Sequence, residues 1–174
     1  MNLHQIKLDF IPEHDRLLMC IATSDGKELA LWFTRRCVKL IWGMLMKMVE
    51  ASPNIVLSGA SAEARAALLG MEHEKAVREA DFSKPYAGEA LERPLGAEPI
   101  LVARIQASRD ERGNHVMMLL PAKGQGVNLC LDDRLLHSFC KLLQDSVAKA
   151  EWELKLALPV TPLAPEEAAA RTLN

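Results

Sequence analysis

The chain is poor in aromatic residues, with three Trp, four Phe and one Tyr in 174 residues, so no surface is richly supplied with the rings on which single-stranded nucleic acid stacks. It also lacks a surplus of either charge. Lys and Arg number 21 against 23 Asp and Glu, a formal net charge of −2, which leaves no overall field to hold nucleic acid or an anionic membrane; such binding needs a local patch. No apolar run reaches the ~20 residues of a membrane span. The longest, Val38 to Val49, is interrupted by Lys39, Gly43 and Lys47. The opening MNLHQIKLDF alternates in polarity instead of pairing a basic end with an apolar block, so no secretory signal is expected and the predicted location is cytoplasmic. Four cysteines, Cys20, Cys37, Cys130 and Cys140, stand far apart without CxxC spacing and read as buried free thiols in a reducing compartment.

What is present is ordinary globular material. Hydrophobic residues make up 49% and charged residues 25%, enough for one domain with a sizeable core. The chain is organised around Leu29 to Val49, a strand of alternating polarity, a helix cap at Thr34 and an apolar helix. A shift of 98 positions lays Leu29 on Val127, Thr34 on Asp132, Arg36 on Arg134, Val38 on Leu136, Ile41 on Phe139 and Leu45 on Leu143. The expected fold is α+β: two βββα units, each an antiparallel meander followed by a long helix, with an Ala-rich helix inserted between them.

The boundaries follow from turns and periods. Unit one spans 1–51, with strands over Leu3–Phe10, Arg16–Thr23 and Glu28–Phe33; Asp25-Gly26 predicts a tight type I′ hairpin. Residues 52–98 hold a helix capped by Ser61 or Ser58 and running to about Ala80, then a Pro/Gly-punctuated loop from Asp81 to Glu98. Unit two spans 99–150, with strands over Pro99–Ser108, His115–Leu120 and Val127–Leu131 and a helix capped by Asp132. WELKLAL within 151–158 alternates as a short last strand, a continued helix being the other reading; a single domain over 1–160 leaves 161–174 as a flexible tail. Leu17–Ala22 and Val116–Leu120 are apolar at every position, which predicts cover on both sheet faces. The Ala-rich helix or a partner subunit would supply it.

The helix from Arg35 is apolar except along one row, Arg36, Lys39, Gly43, Lys47 and Glu50, so it is expected to bury well over half its circumference and to touch more than one neighbour. Trp32, Trp42 and Met46 are the expected interface residues of a homodimer. Arg35 and Arg36 occupy a helix first turn, where the dipole disfavours cations. Three readings follow: two solvated arginines whose small penalty is tolerated, a pairing with carboxylates such as Asp132 and Asp133, or, with Lys39 and Lys47, a candidate binding site for an anion or nucleic-acid phosphate. No catalytic constellation emerges. His137 and Cys140 lie three apart on a helix but lack further ligands, Ser138 has no nucleophile-elbow context, and Lys123-Gly124-Gln125-Gly126 precedes a strand where a phosphate loop must open a helix. No cofactor and no metal site is expected.

The segment DRLLMCIATSDGKELALWFTRR, Asp15 to Arg36, resembles the opening of a group of proteobacterial proteins of unknown activity that carry a DRLLLR-like strand and an LWLTRR-like junction of strand and helix. That resemblance covers about a quarter of the chain and implies no activity. Cys20 stands where a basic residue is expected, and Trp32-Phe33 replaces Trp-Leu. In topology, strands followed by a helix twice over is similar to the Whirly-type single-stranded DNA-binding fold. The functional expectation is a non-enzymatic protein-interaction or oligomerisation module of bacterial type. Its alternative is a nucleic-acid or anion binder using Arg35, Arg36 and Lys39.

Overall fold

The alternating segment at the start of the chain forms β1 (Leu3–Ile11), which passes through a single 3₁₀ turn at Pro12–His14 into β2 (Arg16–Thr23) and then β3 (Glu28–Phe33). The computed structural model describes residues 3–56, 61–80, 84–86 and 91–158; the tail expected over 161–174 and the Ser58 alternative for a cap lie outside them. The three strands pair antiparallel, with Leu8 opposite Met19 and Met19 opposite Leu31. The turn between β2 and β3 differs from expectation. Only Gly26 takes a positive φ, +78°, and its N–H donates to Thr23 O at 3.1 Å, which makes a three-residue loop closed by a left-handed glycine instead of a type I′ pair. The Thr23 hydroxyl, bonded to the Lys27 backbone at 3.1 Å, completes the closure.

Thr34 caps α1 (Arg35–Glu50), its side chain accepting from Cys37 N at 3.2 Å. A one-turn helix α2 (Pro53–Val56) and α3 (Ala62–Glu79), capped by Ser61, follow. The expected strand over Pro99–Ser108 is divided between two sheets. β4 (Ile100–Leu101) lies parallel beside β3, whereas β5 (Arg104–Arg109) begins a second sheet with β6 (His115–Leu120) and β7 (Val127–Leu131). Val102 N donates to Trp32 O and the adjacent Ala103 N to Leu120 O, so the chain changes sheet within one residue. Asp132 then caps α4 (Asp133–Ala150), accepting from Leu135 N at 2.7 Å.

The architecture is α+β, with a four-stranded and a three-stranded sheet. α1 and α4 pack on each other, and each bridges the sheets: α1 touches β3 and β5, α4 touches β1 and β7. Met19, Leu31, Phe33, Ile41 and Leu45 are fully buried, as are Met117, Leu129, Phe139 and Leu143, each contributing roughly 1.5–3 kcal/mol of apolar burial. The central strands alternate, β2 and β6 sending every other side chain into this core and leaving the rest largely half-buried.

Two expectations change here. α3 does not roof a sheet; its main contact is α4, through buried Leu69 and Ala76. What ties down on the first sheet is the segment after α3, where Gln5 Nε2 donates to Pro85 O at 3.3 Å, Glu28 N to Glu92 O at 2.8 Å and Glu92 N to Gly26 O at 3.1 Å. Trp152–Leu158 forms neither strand nor helix. Glu151 ends α4 with φ of 52°, Glu153 follows at 54°, and the alternating Leu154, Leu156 and Leu158 pack on the core without a ladder, so the period of two serves burial alone. Among the described residues no helix is long and apolar enough to cross a membrane.

Candidate functional site

At 100° per residue, Arg36, Lys39, Leu40, Gly43, Lys47 and Glu50 fall within an arc of about 100° on α1, and all six are exposed. The opposite side, Cys37, Val38, Ile41, Trp42, Leu45, Met48 and Val49, is buried. α1 therefore touches several elements, as expected, but is conventionally amphipathic with one exception: Leu40 is 55% exposed. An isolated exposed leucine is unremarkable. This one stands at one edge of a row of cations, and the side chains of Arg35, Arg36, Lys39 and Lys47 make no hydrogen bond or ion pair among the described residues. No ion pair joins Arg35 or Arg36 to Asp132 or Asp133, so the helix dipole's small penalty on the two arginines is uncompensated. At Gly43 a Cβ would meet open space, leaving a shallow gap in the row between Leu40 and Lys47.

The three expected interface residues do not share a surface. Trp42 is 8% exposed and Met46 half-buried, both within the chain's own core. Trp32 is half-buried on β3, its ring 5.0 Å from that of His14.

Two polar clusters were not legible in the sequence. His137 on α4 is 3% exposed because α3 lies over it. Its Nδ1 is 3.3 Å from Nδ1 of His73, with the rings edge to face. One ring must donate and the other accept, so the pair suits two neutral imidazoles of opposite tautomer. Burial, with the charges of His137 and Lys141 adding, holds His73 down to about 4. Burial lowers His137 as well, against the opposing charges of Glu72 and Asp133. Glu28 on β3 is 3% exposed and accepts from Arg93 Nε at 2.6 Å and Tyr86 Oη at 3.0 Å. Burial and this carboxylate raise the Tyr86 phenol well above its usual range. A lone Glu at the start of a strand gives no hint that residues some sixty positions on will satisfy it.

A cavity of about 640 Å³ lies between β1 and the first turns of α4, with Lys7, Tyr86, Asp132 and Arg134 on its wall. Ser138 there donates to Arg134 O at 2.8 Å and has no base beside it, and neither His73 nor His137 lines the cavity. Among the described residues no three His, Cys, Asp or Glu side chains are placed to hold a metal. The chain matches no family model, and no curated protein or solved structure is significantly similar to it.

Proposed function

We propose that this protein is a non-enzymatic interaction module built from a duplicated βββα unit, and that the outward face of α1 is its contact surface. The observation that carries the contact surface is Leu40, 55% exposed at one edge of an outward arc whose cations Arg36, Lys39 and Lys47 make no ion pair among the described residues, an apolar side chain bordered by charge. Duplication is supported by geometry at the 98-residue shift. The pairing Met19–Leu31 falls on Met117–Leu129 and Leu17–Phe33 on His115–Leu131; the caps Thr34 and Asp132 correspond. Six of the seven buried positions of α1 fall on buried positions of α4, Cys37 on half-buried Leu135 being the exception. The packing is reciprocal, α1 on β3 and β5, α4 on β7 and β1.

A homodimer is the simplest form of this reading. A nucleic-acid partner has the four cations in its favour, and against it the net charge of −2 and an arc that carries no aromatic ring. A photo-activatable side chain at position 40, compared with one at exposed Lys123, tests the surface in cells of origin. A dominant adduct to protein, from position 40 alone, is expected. Equal labelling from both positions, or none from position 40, would refute it.

A further inference from the structure

The two halves of the chain differ most where one helix is covered and the other bare. Under the same shift, Lys39 corresponds to His137, Leu40 to Ser138 and Arg36 to Arg134. On α4 this row meets α3: His137 is 3% exposed and faces His73, and the exposed Arg134 reaches the carbonyl end of α3, its guanidinium donating to Glu79 O, while Ser138, 9% exposed, borders the cavity beside β1. On α1 nothing among the described residues takes that place. We infer that a helix of another protein lies across α1 as α3 lies across α4, antiparallel, with its carbonyl end on Arg36, an apolar residue on Leu40 and carboxylates facing Lys39 and Lys47.

The inference rests on the interaction reading and on the duplication. Its chemistry follows from what α1 presents. Arg36 is placed as Arg134 is, to donate to the unsatisfied carbonyls that end a helix. Gly43 leaves room beside Leu40 for the incoming side chain. Lys39 and Lys47 make no ion pair among the described residues, and acidic residues are favoured in the first turn of the incoming helix, which an antiparallel arrangement sets near Lys47. A second copy's α3 fits less well. Its exposed Leu68 and Met71 are accompanied by as many exposed cations, Arg65, Lys75 and Arg78, as exposed acids, Glu63, Glu74 and Glu79, so it offers α1 no surplus of opposite charge.

The test uses the full chain and three labelled probes: an amphipathic Ala/Leu helix with Glu flanking its apolar stripe, a twin with Lys in place of Glu, and a single-stranded DNA oligonucleotide. Fluorescence anisotropy is expected to show saturable binding of the acidic helix, weakened about tenfold by Leu40→Glu or by Lys39→Glu and lost in high salt. Both changes are at exposed positions, so circular dichroism should be unchanged. Equal binding of the two helices, or acidic-helix binding indifferent to both substitutions, overturns the inference. DNA bound more tightly than the acidic helix overturns it too. If the acidic helix fails to bind but sedimentation shows a dimer that Leu40→Glu dissociates, the occupant is a second copy; this inference falls while the interaction surface stands. No binding and no dimer ends both.

Discussion

His73 of α3 and His137 of α4 face each other with their Nδ1 atoms 3.3 Å apart, and this contact helps hold α3 to α4 beside the buried α3 residues Leu69 and Ala76. The pair has one hydrogen bond to share between two bases. Adding protons at both Nδ1 atoms would set two donors and two charges against each other. Glu72 on α3, and Asp133 and Lys141 on α4, are the other charges acting on the pair, and α2, also packed on α3, carries no titratable side chain.

Stability should therefore fall on acidification. Both histidines titrate below 6.5 when folded, His73 at about 4, so the unfolded chain binds more protons, and the contribution present above pH 6.5 is lost progressively between about 6.5 and 4. After discounting for solvent screening of half-buried His73 the loss is on the order of 1 kcal/mol. His115, lowered chiefly by burial, adds to it with the same sign. Urea midpoints at pH 7.5 and 5 read the effect, and His73→Leu should reduce the slope while His115 preserves some of it. A slope unchanged by His73→Leu would remove the pair as its source.

The Glu28 cluster anchors the segment after α3. Arg93→Ala leaves a carboxylate that is 3% exposed with Tyr86 as its remaining side-chain partner among the described residues, at a cost of about 2–3 kcal/mol. Combining it with Glu28→Gln should cost less than the two single losses summed, because the second change removes the stranded charge. Strict additivity in denaturant titrations would show that the contact carries no coupling.

Two glycines should respond with opposite signs. A Cβ at Gly126 would stand 2.5 Å from Leu119 O and 2.6 Å from Leu120 Cδ2, and the turn from β6 to β7 cannot yield backbone, so Gly126→Ala is expected to cost roughly 2 kcal/mol or more. Gly43 is exposed inside a helix with open space around it, and Gly43→Ala should stabilise by about 0.5–1 kcal/mol. Thermal melts of both variants suffice, and a stabilised Gly126→Ala would contradict the turn geometry.

The cysteines divide by burial. Cys37 and Cys140 are pushed up to about 12 by desolvation, whereas Cys130 is exposed, although burial and Asp110 raise its thiol somewhat. Iodoacetamide at pH 8 should alkylate Cys130 first in native protein, with Cys37 and Cys140 reacting only after unfolding. Mass spectrometry of partly labelled protein orders the sites. Early modification of Cys140 would mean that α4 is not packed as described.

The sequence by itself determined most elements and their caps. Period-two alternation placed β1 and β3, apolar runs between turns placed β2 and β6, and the 98-position shift placed β7 on β3. Thr34, Asp132 and either Ser58 or Ser61 marked the helix starts, because most of these signals depend on neighbours within a few residues. Tertiary structure alone decided which sheet each strand joins, dividing Ile100–Arg109 between two. It decided too that alternating Trp152–Leu158 would make no ladder, and that a helix would cover His137 but not Leu40. A side chain's pattern states how apolar it is. Whether it is covered depends on a segment arriving from dozens of positions away, and no local period records that arrival.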